Sequence, residues 1–284
     1  MKHRKPAVAG QFYPASRESL GNLLEGLFRQ AAADAPEIGE HIAGIVAPHA
    51  GYVYSGLQAA RAFHYLQDRD YKTVCIISPS HREYFPGISV YPGEAYVTPL
   101  GELPVDLEGR RAALRCPGIF ETEEGHRAEH ALEVQLPFLQ YALKDFSIIP
   151  LVMGDQSPQM LQLAASCVKQ LHAQFGRSML FVASSDLSHF HPAAEAAAMD
   201  TALIAMLDSY DDAGLEQALQ KNEVEACGGG PLLALLRGLA KERHCVRTLG
   251  YRHSGQINHD KREVVGYTSA LILEKGSDSA EGKH

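Results

Sequence analysis

The sequence predicts an α/β protein, a single-domain α/β/α sandwich with a mainly parallel or mixed central sheet. Three observations predict it. Short runs rich in Val and Ile, apolar at both parities, recur at 42–47, 74–78, 148–153, 179–184 and 264–273. A strand covered on both faces has no polar side, so such runs read as buried parallel strands. Helical patterns separate them, and that alternation places helices over a parallel sheet. Finally, no Pro/Gly/Ser linker or composition break interrupts the chain, which predicts one domain over 1–275 and a frayed, disordered polar tail over 276–284 (the last ten residues read KGSDSAEGKH).

Each helix has its own local reason. Ser16 is placed to cap a helix over 17–33 whose Leu20, Leu23, Leu24, Leu27 and Phe28 share one face. Residues 57–67 follow a Ser-Gly step. Residues 128–143 read as one helix kinked by Pro137. Ser157-Pro158 is an N-cap followed by Pro at the first helical position, opening 159–175. An Ala-rich stretch gives 193–207, and 231–242 starts after Gly228-Gly229-Gly230. The section 84–106, with turn residues every few positions, reads as short antiparallel strands at the sheet edge.

Composition removes several function classes. The 284 residues suffice to bury a core without disulfides or a structural metal. A formal net charge of −8 offers no general basic face, so nucleic acid is not an expected partner. No run reaches the ~20 apolar residues of a membrane span, and MKHRKPAVAGQFYP lacks the apolar stretch of a signal peptide. Five scattered Cys without a CxxC pair suit a reducing cytoplasm. No GxxxxGK[ST], HExxH or GxSxG motif occurs.

The 14 His are the first chemical signal. Three predicted strands lead into His: APHAGY at 47–52, SPSH at 78–81 and SSDLSH at 184–189. Ligands of open α/β sheets sit beyond the carboxyl ends of strands, so His49, His81 and the Asp186/His189 pair should share one rim. Imidazoles with a carboxylate or thiolate form a transition-metal donor set; the plainer alternative is unrelated loop histidines. Cys227 precedes a glycine run that enters a helix, where the helix dipole gives a reason for a lowered pKa, and it reads as a metal ligand, a nucleophile or a small packed residue. Glu129 and Glu133, four apart, read as one helical face; together with His130 they could supply a ligand, an acid or a partner to a ligand, or lie on a solvated face. Tyr54 could line a pocket or only pack. A hydrolase using Cys227 with His189 is a further reading of the same residues.

Taken together, PAVAGQFYP (6–14), APHAGYVYSG (47–56), SPSH (78–81), EHALEVQLPFL (129–139), SSDLSH (184–189), CGGGP (227–231) and VVGY (264–267) resemble the Memo family, called AmmeMemoRadiSam system protein B in prokaryotes. The match runs over nearly the whole chain. The family is similar in fold to class III extradiol (LigB-like) dioxygenases, which hold non-haem Fe(II) with two His and a carboxylate and use another His as acid–base catalyst. The resemblance implies His49 and His81 as metal ligands, His189 as the catalytic His with Asp186 beside it, and Cys227 where the dioxygenases place their carboxylate. It implies Fe(II), with copper or zinc as other ions, and AMMECR-type and radical SAM proteins as partners. The substrate would be an unassigned small molecule or peptide. The thiol in place of the carboxylate carries the alternative, a non-catalytic metal-, ligand- or peptide-binding module with a vestigial dioxygenase pocket.

Overall fold

Five apolar runs do form strands, and the sheet they build determines which side chains meet at its rim. The computed structural model describes residues 2–276. In chain order the elements are β1 (His3–Arg4), α1 (Arg17–Ala32), β2 (Ile42–Ala47), α2 (Tyr52–Phe63), β3 (Thr73–Pro79), β4 (Ile88–Val90), β5 (Ala95–Thr98), β6 (Gly101–Pro104) and α3 (Leu107–Ala113). They continue with β7 (Ile119–Glu121), α4 (Leu136–Ala142), β8 (Ser147–Met153), α5 (Pro158–Phe175), β9 (Met179–Ser184), β10 (His189–His191) and α6 (Ala193–Asp208). Then come α7 (Asp212–Gln220), α8 (Gly229–Leu239), β11 (His244–His253), α9 (Gly255–Asn258) and β12 (Val264–Glu274).

The main sheet has nine strands, with β12-β2-β9-β3-β8-β4-β7 side by side and β10 and β11 also paired to β12. Its centre, β2-β9-β3-β8, is parallel. Side chains alternate between two cores. Val74 and Ile76 of β3 face one core with Leu180 and Val182 of β9, while Cys75 and Ile77 face the other with Phe181 and Ala183. The α1, α2 and α4 helices cover the first face; α5, α6, α7 and α8 cover the second. The result is the three-layer α/β arrangement that strands apolar at both parities require.

Several sequence expectations change in detail. The run at 264–273 is antiparallel to β2, not parallel; a strand buried on both faces reads the same in either direction. The 84–106 section divides: β4 joins the main sheet antiparallel to β8, whereas β5 and β6 form a hairpin in a separate three-stranded sheet with β1. The helix expected over 128–143 forms only from Leu136, after a 3-10 turn at Glu133–Gln135, with Pro137 in its first turn instead of at a kink. Ser16 caps α1 as expected, its Oγ accepting from Ser19 N at 3.1 Å. Ser157 occupies the cap position of α5, but its hydroxyl pairs with Asp155 Oδ2 at 3.0 Å. The expected tail lies, from residue 277, outside the described residues. Among the described residues no helix is long and apolar enough to cross a membrane.

Candidate metal centre

The parallel register sets the site. Ala47 pairs with Ser184, and Ile77 with Ala183, so β2, β3 and β9 end together and deliver His49, His81 and Asp186 to one edge. The segment before α4 brings Glu129 and His130 to the same place. One ring nitrogen each from His49, His81 and His130 lie within 4.8 Å of one another. The ring centroids are 5.0 Å apart for His49 and His81, 4.7 Å for His81 and His130, and 5.5 Å for His49 and His130. His130, whose expected roles ran from ligand or acid to supporting residue, is thus the third ring of the cluster.

Hydrogen bonds fix which nitrogen His49 and His81 present. The Ser184 hydroxyl donates its one proton to Ala131 O at 2.7 Å and accepts from Gln135 Nε2 at 2.8 Å. Its contact with His49 Nδ1 at 2.8 Å must therefore be an acceptor contact, which puts the proton on Nδ1 and leaves Nε2 bare. His81 Nδ1 lies 3.0 Å from Glu129 Oε1, and an ionised carboxylate can only accept, so His81 also presents Nε2. Glu129 further accepts from the backbone N–H of His81 at 2.5 Å and from those of His130 and Ala131 at 2.9 Å each. Burial pushes this carboxyl up, but the hydrogen bonds from His81 and from the Ala131 backbone outweigh burial and hold it at about 2. Residues 129–132 are not helical, and the Glu129 carboxylate satisfies the backbone donors of His130 and Ala131 there.

Burial disfavours the charged form of two of the rings. It pushes His49 well below the ordinary histidine range, and His130 down to about 4. His81 adds to the effect at His49, because a second cation would have to be accommodated beside the first. Imidazoles that present bare ring nitrogens, oriented by a carboxylate and a hydroxyl, are what a transition-metal site needs, and the donor set fits such an ion.

Cys227 meets the cluster at His49. Its Sγ is 3.0 Å from His49 Nε2 and accepts from Asp186 N at 3.2 Å. Because Nε2 is bare, the thiol is the donor in that contact. The sequence expectation of a lowered thiol pKa does not hold: burial, then the Asp186 charge, push it up. Nor does the glycine run form an open anion cradle. A Cβ on Gly228 would lie 2.2 Å from Ser184 O, and one on Gly230 would lie 2.7 Å from Gln156 Oε1. These glycines let the Cys227 loop pack directly on the end of β9.

Asp186 is buried, its Oδ1 accepts from His49 N at 2.7 Å, and burial raises its carboxyl pKa. His189 stands on β10, its backbone N–H donating to Glu225 Oε2 at 3.1 Å. Tyr54 is partly exposed on the first turn of α2. Val53, Tyr84 and Phe190 are also exposed and follow His49, His81 and His189 closely in sequence.

Glu133 is not part of this centre. Fully buried, it binds Arg4 and Tyr13 and accepts from Ala7 N at 2.8 Å and Val8 N at 3.1 Å. Arg4 in turn donates to Glu129 O at 2.6 Å and His126 O at 2.9 Å. The N-terminal segment is thereby tied to the loop that carries Glu129 and His130. Sequence reasoning missed Ser184 and Gln135, which set the His49 tautomer. Both lie within quoted motifs, but their pairing is a three-dimensional fact with no spacing signal.

An α/β fold with a histidine cluster at the carboxyl ends of its parallel strands defines the class: an α/β protein with a site that could hold a metal ion. The Memo-like protein family model matches residues 4–271, and the chain belongs to that family. It is 38% identical over 276 residues to a MEMO1 family protein of Methanosarcina mazei, covering 96% of this chain and 100% of that one. It is 37% identical over 277 residues to a MEMO1 family protein of Ignicoccus hospitalis, covering 94% and 97%. A third MEMO1 family protein, from Thermotoga petrophila, is 35% identical over 279 residues, covering 95% and 99%.

Proposed function

We propose that this chain is a cytoplasmic mononuclear Fe(II) protein that carries out O2-dependent redox chemistry on a small organic molecule. His49, His81 and His130 are its imidazole donors, and Cys227 is a thiolate donor once its proton is lost. The observation that carries the reading is the convergence of three imidazole rings, two of them with tautomers fixed so that Nε2 is bare. Imidazole with thiolate suits iron as well as copper and zinc. Bound Fe(II) would supply a Lewis-acidic, redox-active centre.

The remaining roles belong to side chains. Glu129 and Ser184 hold the His81 and His49 rings in orientation. Asp186 fixes the His49 backbone through Oδ1 and contacts Cys227 through its own N–H. His189 moves a proton to or from a substrate oxygen as general acid–base. The exposed Val53, Tyr54, Tyr84 and Phe190 give an organic ligand apolar surface at the mouth. Partner proteins of the AMMECR and radical SAM types would supply or consume that ligand.

The test is O2 uptake by anaerobically iron-loaded protein against a panel of phenolic and enolic compounds, wild type beside His189→Ala. The expected result is substrate-dependent uptake that falls by at least ~100-fold in His189→Ala with iron retained. Unchanged uptake in the variant removes His189 from the chemistry. Bound iron with no uptake for any compound replaces the enzyme reading with a metal-binding module.

A further inference from the structure

The N-terminal PAVAGQFYP segment reaches the histidine centre itself, through Phe12. The Phe12 ring packs on the His130 ring, with centroids 4.9 Å apart and planes inclined at 54°. Both side chains belong to partly buried residues. His130 differs from the other two rings of the cluster. Ser184 orients His49, and Glu129 orients His81. The buried Nδ1 of His130 lies 3.2 Å from Glu129 Oε1, but the approach is too oblique for a hydrogen bond. That oxygen already accepts from His81 Nδ1 and from the backbone N–H groups of His130 and Ala131. Among the described residues, no side-chain hydrogen bond orients the His130 ring, so packing has to do it. Of the aromatic rings against it there, His49 and His81 are fellow members of the cluster, which leaves Phe12 as the wall.

We propose that Phe12 is a positioning residue of the metal centre, its ring holding the His130 imidazole turned toward His49 and His81. The inference rests on the reading of His130 as a metal donor. Phe12 suits the task because its own backbone is pinned at both ends. Its N–H donates to Val8 O at 2.9 Å, and its carbonyl accepts at 2.8 Å from the N–H of Tyr52, three residues after His49. On either side of it, Val8 N donates to Glu133 Oε1 at 3.1 Å and the Tyr13 hydroxyl donates to the same oxygen. Gly10 makes the intervening turn with a φ of 82°, in the left-handed region that favours glycine. The wall against His130 is therefore anchored to α2 and to the buried Glu133, not carried on a free tail. Without the Phe12 ring, His130 regains rotamer freedom with no hydrogen bond to restrain it. Metal binding then has to order that ring, which weakens affinity.

The experiment is an anaerobic Co(II) titration of the metal-free full chain, followed by visible absorption. It compares wild type, Phe12→Ala, His130→Ala and the double variant, each checked for folding by circular dichroism. The expected result is that each single change weakens Co(II) binding by about 10-fold or more. The double variant should bind no more weakly than His130→Ala alone, because a wall has nothing to hold once the donor is gone. Phe12→Ala should also shift the Co(II) spectrum in the direction that His130→Ala does, which a loss of stability alone would not. Wild-type affinity in Phe12→Ala beside weakened binding in His130→Ala overturns the role of Phe12 and leaves the donor reading standing. Losses that add in the double variant overturn it as well. Identical behaviour of His130→Ala and wild type, including no binding by either, removes the donor reading and this inference with it. If Phe12→Ala fails to fold, Phe12→Leu, which keeps apolar bulk in the segment but not the flat ring, is read in its place against the same outcomes.

Discussion

Replacing Glu129 with Gln should uncouple stability from acid in a way no other single change at the site would. Glu129 accepts four hydrogen bonds and is held at about 2 against an ordinary value of 4.5. At roughly 1.4 kcal/mol per pH unit, that difference corresponds to about 3 kcal/mol favouring the folded state. The sign follows from proton counting. Above pH 4.5 the carboxylate is ionised in both states, and the folded state gains the full benefit. As pH falls from 4.5 towards 2, the unfolded chain takes up a proton that the folded chain refuses, and the benefit disappears. Gln cannot ionise, so this contribution is absent at every pH. Urea unfolding of metal-free wild type and Glu129→Gln should therefore differ by about 3 kcal/mol or more at pH 7, with the gap shrinking by that amount by pH 2. The same variant should bind metal about 10–100-fold more weakly, because His81 loses the partner that orients it. A stability gap equal at pH 7 and pH 2.5 would refute the assigned role of the carboxylate.

Other outcomes follow from the same structure. Glu133→Gln leaves Arg4 buried without its counter-charge and should destabilise the protein by about 3–5 kcal/mol, read from urea unfolding. His126, pushed by burial down to about 3, makes wild type lose stability as pH falls from 6.5 to about 3. His126→Gln should flatten that part of the profile by up to about 1.4 kcal/mol per pH unit, measured by thermal or urea unfolding across that range. Because burial raises the Cys227 thiol, iodoacetamide should modify Cys227 in metal-free protein at pH 7.5 at least tenfold more slowly than a free thiol, with peptide mapping as the readout. Fast alkylation there would instead favour a thiolate nucleophile.

Much of the architecture was legible because burial on both faces leaves a plain trace. The runs at β2, β3, β8 and β9 have no polar parity to misread. Strand direction left no such trace in β12. The β11 strand escaped notice because it is mostly half-buried, mixing Arg247, Arg252 and His253 with Val246 and Leu249. The helix expected from residue 128 followed its apolar spacing correctly but ignored what Glu129 does to its own backbone. At the site, strand-end position alone was enough to place His49, His81 and Asp186 on one rim. It did not single out His130 as a third converging ring, because the approach of His130 depends on how the Glu129 segment is held against His81. Nor could the glycine run reveal its role, since close approach to Ser184 and Gln156 depends on chain packing, not on helix-entry chemistry.

Metal content is the most direct test of the histidine centre. Protein purified anaerobically, loaded with Fe(II) and desalted should carry about one iron per chain. His49→Ala and His81→Ala, each checked for folding by circular dichroism, should each retain less than about a tenth of that, given the 10–100-fold losses seen when even supporting partners of metal sites are removed. Folded variants that hold as much iron as wild type would mean that these rings are not the donors, and the proposed centre would have to be abandoned.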